Sequence, residues 1–174
     1  MIFTIGHSTR SIAELVALLQ QVSIDLHADV RSVPRSRANP QFNADALRVP
    51  LAAAGIDYRH LPALGGLRGR RKDAMPSTNT LWRNAAFRNY ADYAMTAAFR
   101  AGLDELKAIA VERCCAIMCA EALWWRCHRR IIADYLLAEA IPVAHVMGLG
   151  KVDAATPTPG ARPLPSGTIL YPGT

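Results

Sequence analysis

Five short apolar runs, at 1–5, 24–30, 56–61, 114–118 and 143–146, are separated by stretches that carry helical signals, and this alternation restricts the fold more than any other feature. Ser11 precedes a helix whose apolar residues Ile12, Leu15, Val16, Leu18 and Leu19 recur at helical spacing. Asn43 is placed to cap a helix over 44–54 that Gly55 ends. A further helical pattern over 84–112 reads as two helices broken near Gly102. In the last one, from about Leu123 to Ala140, Cys127, Ile131 and Tyr135 fall on one stripe. Strands alternating with helices predict a mostly parallel sheet of about five strands with helices on both faces. The fold class is therefore α/β, a single-domain three-layer Rossmann-like fold, and 174 residues at 51% hydrophobic composition suffice for its core.

Residues 1–150 form the expected α/β domain. The segment 151–174, with five prolines and three glycines, reads as a tail over the surface, pinned by Leu164, Ile169, Leu170 and Tyr171. The Gly- and Arg-rich stretch 62–80 is a long loop, and loops of that length in compact domains are usually functional or disordered. No basic segment followed by an apolar one opens the chain, so no export signal is expected. No apolar run reaches the roughly 18–20 residues of a membrane span, so a soluble, cytoplasmic protein is expected. Cys114, Cys115, Cys119 and Cys127 crowd into one region, a poor layout for a disulfide framework, and are expected reduced.

Lys and Arg exceed Asp and Glu by six, and half of the twenty basic residues lie in three groups. These are Arg31, Arg35 and Arg37; Arg68, Arg70, Arg71 and Lys72; and Arg126, Arg129 and Arg130. Such clustering favours an anionic small molecule, a nucleotide or nucleic acid as partner. In open α/β sheets, ligands bind beyond the carboxyl ends of the strands. Gly6-His7-Ser8, Asp29-Val30-Arg31, His60 and Cys119-Ala120-Glu121 all fall at that edge in this reading.

Several ordered motifs carry a family resemblance. They are Gly6-His7-Ser8-Thr9, Asp29 to Ser36, Asn39-Pro40-Gln41-Phe42-Asn43, His60-Leu61-Pro62 with Leu64-Gly65-Gly66, Tyr90 with Tyr93, and Cys119-Ala120-Glu121 with Trp125 to Arg129. Together they resemble the domain-of-unknown-function 488 family over nearly all of 5–146. The resemblance implies a bacterial or archaeal cytoplasmic α/β domain and names no reaction. Trp124 stands where the family pattern leads one to expect a proline.

Roles must then come from the residues. A helix starting near Leu123 would offer its N–H groups to a phosphate or carboxylate, with Arg126 and Arg129 as clamps. Against this, the same arginines can pair internally with Asp29, Glu121 or Asp134. Cys119, at a strand end before a helix, occupies a nucleophile's position, although a buried inert thiol is the commoner fate. The turn is loosely similar to rhodanese and cysteine-phosphatase loops, but its arginine comes seven positions later and Ala-Glu-Ala-Leu-Trp-Trp lacks their glycines. Cys127 reads as a packing residue. Cys127 and His128, even with Cys119, His7 or His60, show no metal-ligand spacing, so no metal is assigned. Glu121 or Asp29, with His7 or His128, would move a proton. Ser8, Arg31, Arg35, Arg37 and Asn39 join the binding set, and Phe42 with Trp124 or Trp125 could stack a base or simply pack. The leading expectation is an enzyme acting on a phosphorylated, nucleotide-like or nucleic-acid substrate. The alternatives are a non-catalytic nucleic-acid or anion-binding module, and a thiol-based redox or metal-binding protein. No cofactor and no oligomeric state are indicated.

Overall fold

The computed structural model describes residues 1–69 and 75–173. Arg70, Arg71 and Lys72, three of the four residues in the expected basic cluster of the 62–80 loop, lie outside the described residues. A single six-stranded sheet runs in the order β3-β2-β4-β1-β5-β6. Its strands are β1 (Ile2–Gly6), β2 (Leu26–Asp29), β3 (Asp57–His60), β4 (Cys115–Cys119), β5 (Val143–Gly148) and β6 (Lys151–Ala154). The first five are parallel, and β6 turns back antiparallel on β5, so a strand from the presumed tail makes six where about five were expected.

The central strands are covered on both faces and so read as unbroken apolar runs. Ile2, Leu26, Cys115, Ile117 and Val143 face α3 (Ala85–Ala94), α4 (Ala97–Glu112) and α5 (Arg129–Ala138). Ile5, Ala116, Met118 and Val146 face α1 (Ile12–Gln20) and α2 (Ala44–Ala53). The layers are the expected three. No helix among the described residues is long and apolar enough to cross a membrane.

Four local expectations change. Asn43 precedes α2, but its side chain accepts from the Ser36 N–H and does not cap the helix. The break between α3 and α4 falls at Met95–Thr96, where the Thr96 hydroxyl caps α4; Gly102 sits inside α4 because a β-carbon there would crowd Ala63. Beyond β6, a short hairpin of β7 (Arg162–Pro163) and β8 (Ile169–Leu170) buries Ile169 and Tyr171, while Leu164 stays exposed. Most important, α5 starts at Arg129 and not near Leu123, because 124–126 forms a 3-10 turn and Cys127 is extended. Trp124, the departure from the family pattern, opens that turn and stacks on His145 at 4.3 Å.

Two imidazoles lie inside this core. Burial pushes both His27 and His145 down to about 4, and each has a ring nitrogen without a partner. Both are neutral in the folded state, while the unfolded chain takes up protons below its ordinary value of about 6.5. Their contribution is thus complete above 6.5 and is lost progressively as pH falls toward 4. The expected outcome is a melting temperature that drops across this window and drops less in His27→Leu, as followed by thermal unfolding in a pH series. An equally steep decline in that variant would assign the acid sensitivity elsewhere.

Candidate functional site

The site forms where the chain leaves β4 and crosses the end of β1. His7 N–H donates to the Cys119 carbonyl and Ser8 N–H to that of Ala120, 2.9 Å each, which zips the two exits together. Gly6 is required at this crossing, since a β-carbon there would overlap the Glu121 carbonyl. The crossing delivers Glu121–Arg126 above the sheet and sets Cys127 at the start of α5, against Cys119.

The two sulfurs lie 3.0 Å apart. Cys127 Sγ also accepts from the Arg129 backbone N–H at 3.3 Å and from Arg129 Nε at 3.0 Å. Burial alone would raise the Cys127 thiol; the Cys119 S–H, the Arg129 guanidinium and His128 outweigh it and hold the group well below the ordinary thiol range. Burial and the neighbouring sulfur push Cys119 well above that range. Both N–H donors of Arg129 fall on Cys127 Sγ, while Cys119 Sγ has the Glu121 carbonyl within 3.7 Å as an acceptor, so the charged form is favoured at Cys127. The sequence reading placed Cys119 at a nucleophile's position with a buried inert thiol as its commoner fate, and gave Cys127 a packing role; the structure gathers the N–H donors on Cys127. The reason is the late start of α5, whose first N–H groups meet Cys127.

Arg129 is not the solvent-facing clamp expected of it. Its residue is 1% exposed, and its guanidinium also holds the Glu121 carbonyl at 2.6 Å and the Ala122 carbonyl at 3.4 Å. Nor does it pair with the carboxylates of Asp29, Glu121 or Asp134, for its Nε–H is directed at the Cys127 sulfur. Thr4 Oγ1 accepts from Arg129 at 3.5 Å and shares a hydrogen bond of 2.8 Å with His145 Nδ1. His128 Nε2–H donates to the Val30 carbonyl at 2.9 Å, which leaves Nδ1 as its other ring nitrogen. Gly66 lies against that edge, where a β-carbon would strike Nδ1.

Above the thiols opens a cavity of about 410 Å³. Cys119, Cys127 and His128 form its floor, Val33, Leu67, Ala86 and Phe87 its apolar wall, and Arg31, Arg35, Glu121 and Arg126 its polar side. Arg35, Glu121 and Arg126 are exposed, and among the described residues their charged ends have no side-chain partner. Gly66 and Tyr90 join the lining from family motifs to which no role was assigned, Leu67 from the 62–80 loop, and Phe87 without any earlier signal.

Other predicted residues lie behind this cavity. Asp29 is fully buried, receiving Arg31 Nε at 2.9 Å, Arg31 Nη2 at 2.6 Å, and the Tyr58 hydroxyl at 2.7 Å. Burial pulls its carboxyl up, but these donors outweigh it and hold the group below its ordinary range. Asp29 is thus a structural counter-ion and not a proton carrier. Arg31 reaches the cavity wall with its guanidinium already committed to Asp29, the Phe42 carbonyl and His7. His7, buried, donates from Nδ1 to the Ser8 carbonyl at 2.8 Å and accepts from Arg31 through Nε2 at 3.4 Å, so it has no free nitrogen for acid–base work. Burial also lowers its basicity. Phe42 stacks on His7 at 4.2 Å as a core residue, not a base-stacking platform. Ser8, at φ 48°, is a turn residue outside the lining, as are Arg37, Asn39 and the exposed Trp125. His60 donates to the Arg31 carbonyl at 2.7 Å and also stands off the cavity.

Cys119 Sγ, Cys127 Sγ and a ring nitrogen of His128 lie within 4.8 Å of one another, a grouping of soft donors that adjacent sequence positions had argued against. Three donors already occupy Cys127 Sγ, and a buried guanidinium beside it disfavours a cation. Among comparisons with known proteins, a family model described as Domain of unknown function DUF488 matches residues 11–136. No curated protein and no solved structure matches.

Proposed function

The chain belongs to the domain-of-unknown-function 488 family, and on that premise, which fixes no reaction, we propose a thiolate-centred enzyme that acts on a small anionic substrate. One observation carries the reading: Cys127 Sγ, on the floor of the cavity, receives both the backbone N–H and the Nε–H of Arg129. A thiolate is the nucleophilic form of cysteine, and guanidinium and helix N-terminal N–H groups favour it. In this reading Cys127 attacks, Cys119 holds a proton at its sulfur, and Arg129 and His128 position the thiolate. Glu121 at the mouth is the carboxylate within reach of a bound substrate.

The substrate's class follows from the rest of the cavity. Its volume suits a small molecule and not a duplex. Arg35 and Arg126 offer guanidinia, unpaired among the described residues, that suit a carboxylate or phosphate, and the apolar wall accommodates an uncharged body. Free thiols at all four cysteines fit a reducing compartment, and the cytoplasm is the proposed location.

Paired alkylating agents test the charge preference. Iodoacetate should modify Cys127 faster, relative to neutral iodoacetamide, than it modifies a free cysteine. In an Arg35→Ala/Arg126→Ala variant that preference should fall by about two- to fivefold, the range for exposed ion pairs. An unchanged ratio would remove the anionic substrate from the reading. If a phosphorylated ligand bound equally well to wild type and to Cys127→Ala, and no turnover were found, the site would be a binding module.

A further inference from the structure

We propose that Cys119 and Cys127 form a reversible two-electron redox pair, oxidised to a disulfide by a small hydroperoxide that enters the cavity. The proposal rests on the Cys127 thiolate reading and adds a second step to it. Its basis is positional. The two sulfurs are in contact at 3.0 Å, both line the same cavity, and Cys119 sits at the end of a strand hydrogen-bonded on both sides. Closing the remaining gap to a bond of about 2.05 Å takes a small side-chain movement. No other described thiol competes: Cys115 lies at the far end of β4, about 13 Å away at the rise of an extended strand, and Cys114 precedes it.

The chemistry balances. The Cys127 thiolate attacks the terminal oxygen of the hydroperoxide; an S–O bond forms, the O–O bond breaks, and the alkoxide takes a proton and leaves as alcohol. Arg129 Nε, beside the sulfur, holds the thiolate until it attacks, and the departing oxygen takes its proton from solvent in the open cavity. Cys119 then attacks the sulfenic sulfur of Cys127. The S–S bond forms, the S–O bond breaks, and the departing hydroxide takes the Cys119 proton as water. The two thiols lose two electrons, and one hydroperoxide becomes alcohol and water. A thiol reductant, by exchange, restores the pair.

The experiment uses the full reduced chain and one equivalent of hydrogen peroxide, followed by alkylation and peptide mapping under non-reducing conditions. Cys119 and Cys127 should lose alkylation together and appear as one linked peptide, reversed by dithiothreitol, with Cys127 oxidised about tenfold or more faster than Cys114. Cys119→Ala should halt at a sulfenic acid on Cys127 that dimedone traps. Persistent alkylation of Cys119 after Cys127 is oxidised would overturn the proposal. So would stoichiometric zinc, found by elemental analysis, that blocks both thiols until chelated. The pH dependence of iodoacetamide modification separates the two levels. A depressed Cys127 value without a disulfide removes the redox pair alone, whereas an ordinary value removes the thiolate reading as well.

Discussion

Arg129→Met should convert the fast alkylation of Cys127 at neutral pH into the slow alkylation of a protonated thiol. Methionine fills most of the buried arginine's path and removes both the charge and the Nε donor, 3.0 Å from the sulfur. Loss of a close opposite charge moves a titrating group by roughly one to three units, and each unit is a factor of about ten in thiolate population. The inflection of the rate–pH curve should thus move upward by about one to three units, and the modification rate at pH 7 should fall about tenfold for each unit by which the new inflection exceeds 7. Arg129→Lys, which keeps charge but loses the planar fork, should fall between. Circular dichroism establishes whether the variant folds. An unmoved inflection in folded Arg129→Met would mean that other groups stabilise the sulfur.

Asp29→Ala should be the most destabilising of the single substitutions considered. Asp29 and Arg31 are 0% and 6% exposed, and removing the carboxylate leaves a buried guanidinium without its counter-charge. Breaking such a pair on one side costs about 3–5 kcal/mol, or roughly 10 °C in melting temperature for a chain of this size. The double variant Asp29→Ala/Arg31→Met should recover much of the loss, since no buried charge is left unpaired. The pH dependence has a definite sign. Asp29 titrates below its unfolded value of about 3.9, so its stabilisation is full above that pH and disappears as pH falls through the lower folded value. This acid limb lies below the histidine window and should vanish in the alanine variant. Equal melting temperatures for single and double variants would show that the guanidinium finds another partner or water.

The layers were legible because buried parallel strands are nearly all apolar and surface helices carry a one-sided stripe; both patterns survive in single sequences. Boundaries set by hydrogen bonds between distant segments were not. Leu123 to His128 has the composition of a helix start, yet the chain is tied to β1 by the His7 and Ser8 N–H groups and must finish its crossing before α5 can begin. That six-residue shift changed which cysteine meets the helix N-terminus. The charged residues divided for a similar reason. Arg31, Asp29 and His7 occur in suggestive motifs, but only the fold reveals that they satisfy one another, whereas Arg35, Glu121 and Arg126 are left facing the cavity. The wall from 66–67 and α3 comes from residues far away in sequence, with apolar character that any core residue shares.

The two ends of the sheet bear on how neighbouring molecules meet. Among the described residues β6 and, at the opposite end, β3 are the edge strands of the sheet, each with an outer row of backbone groups that no neighbouring strand pairs. An open strand edge is a template for stacking between chains, and charge along it is the usual deterrent. β6 carries Lys151 and Asp153, both exposed. β3 carries Asp57 and Arg59, tied to Arg113 and Glu105 through exposed ion pairs. Edge-to-edge aggregation is thereby guarded by side chains that salt screens, so colloidal stability of this protein should depend on ionic strength where its fold does not.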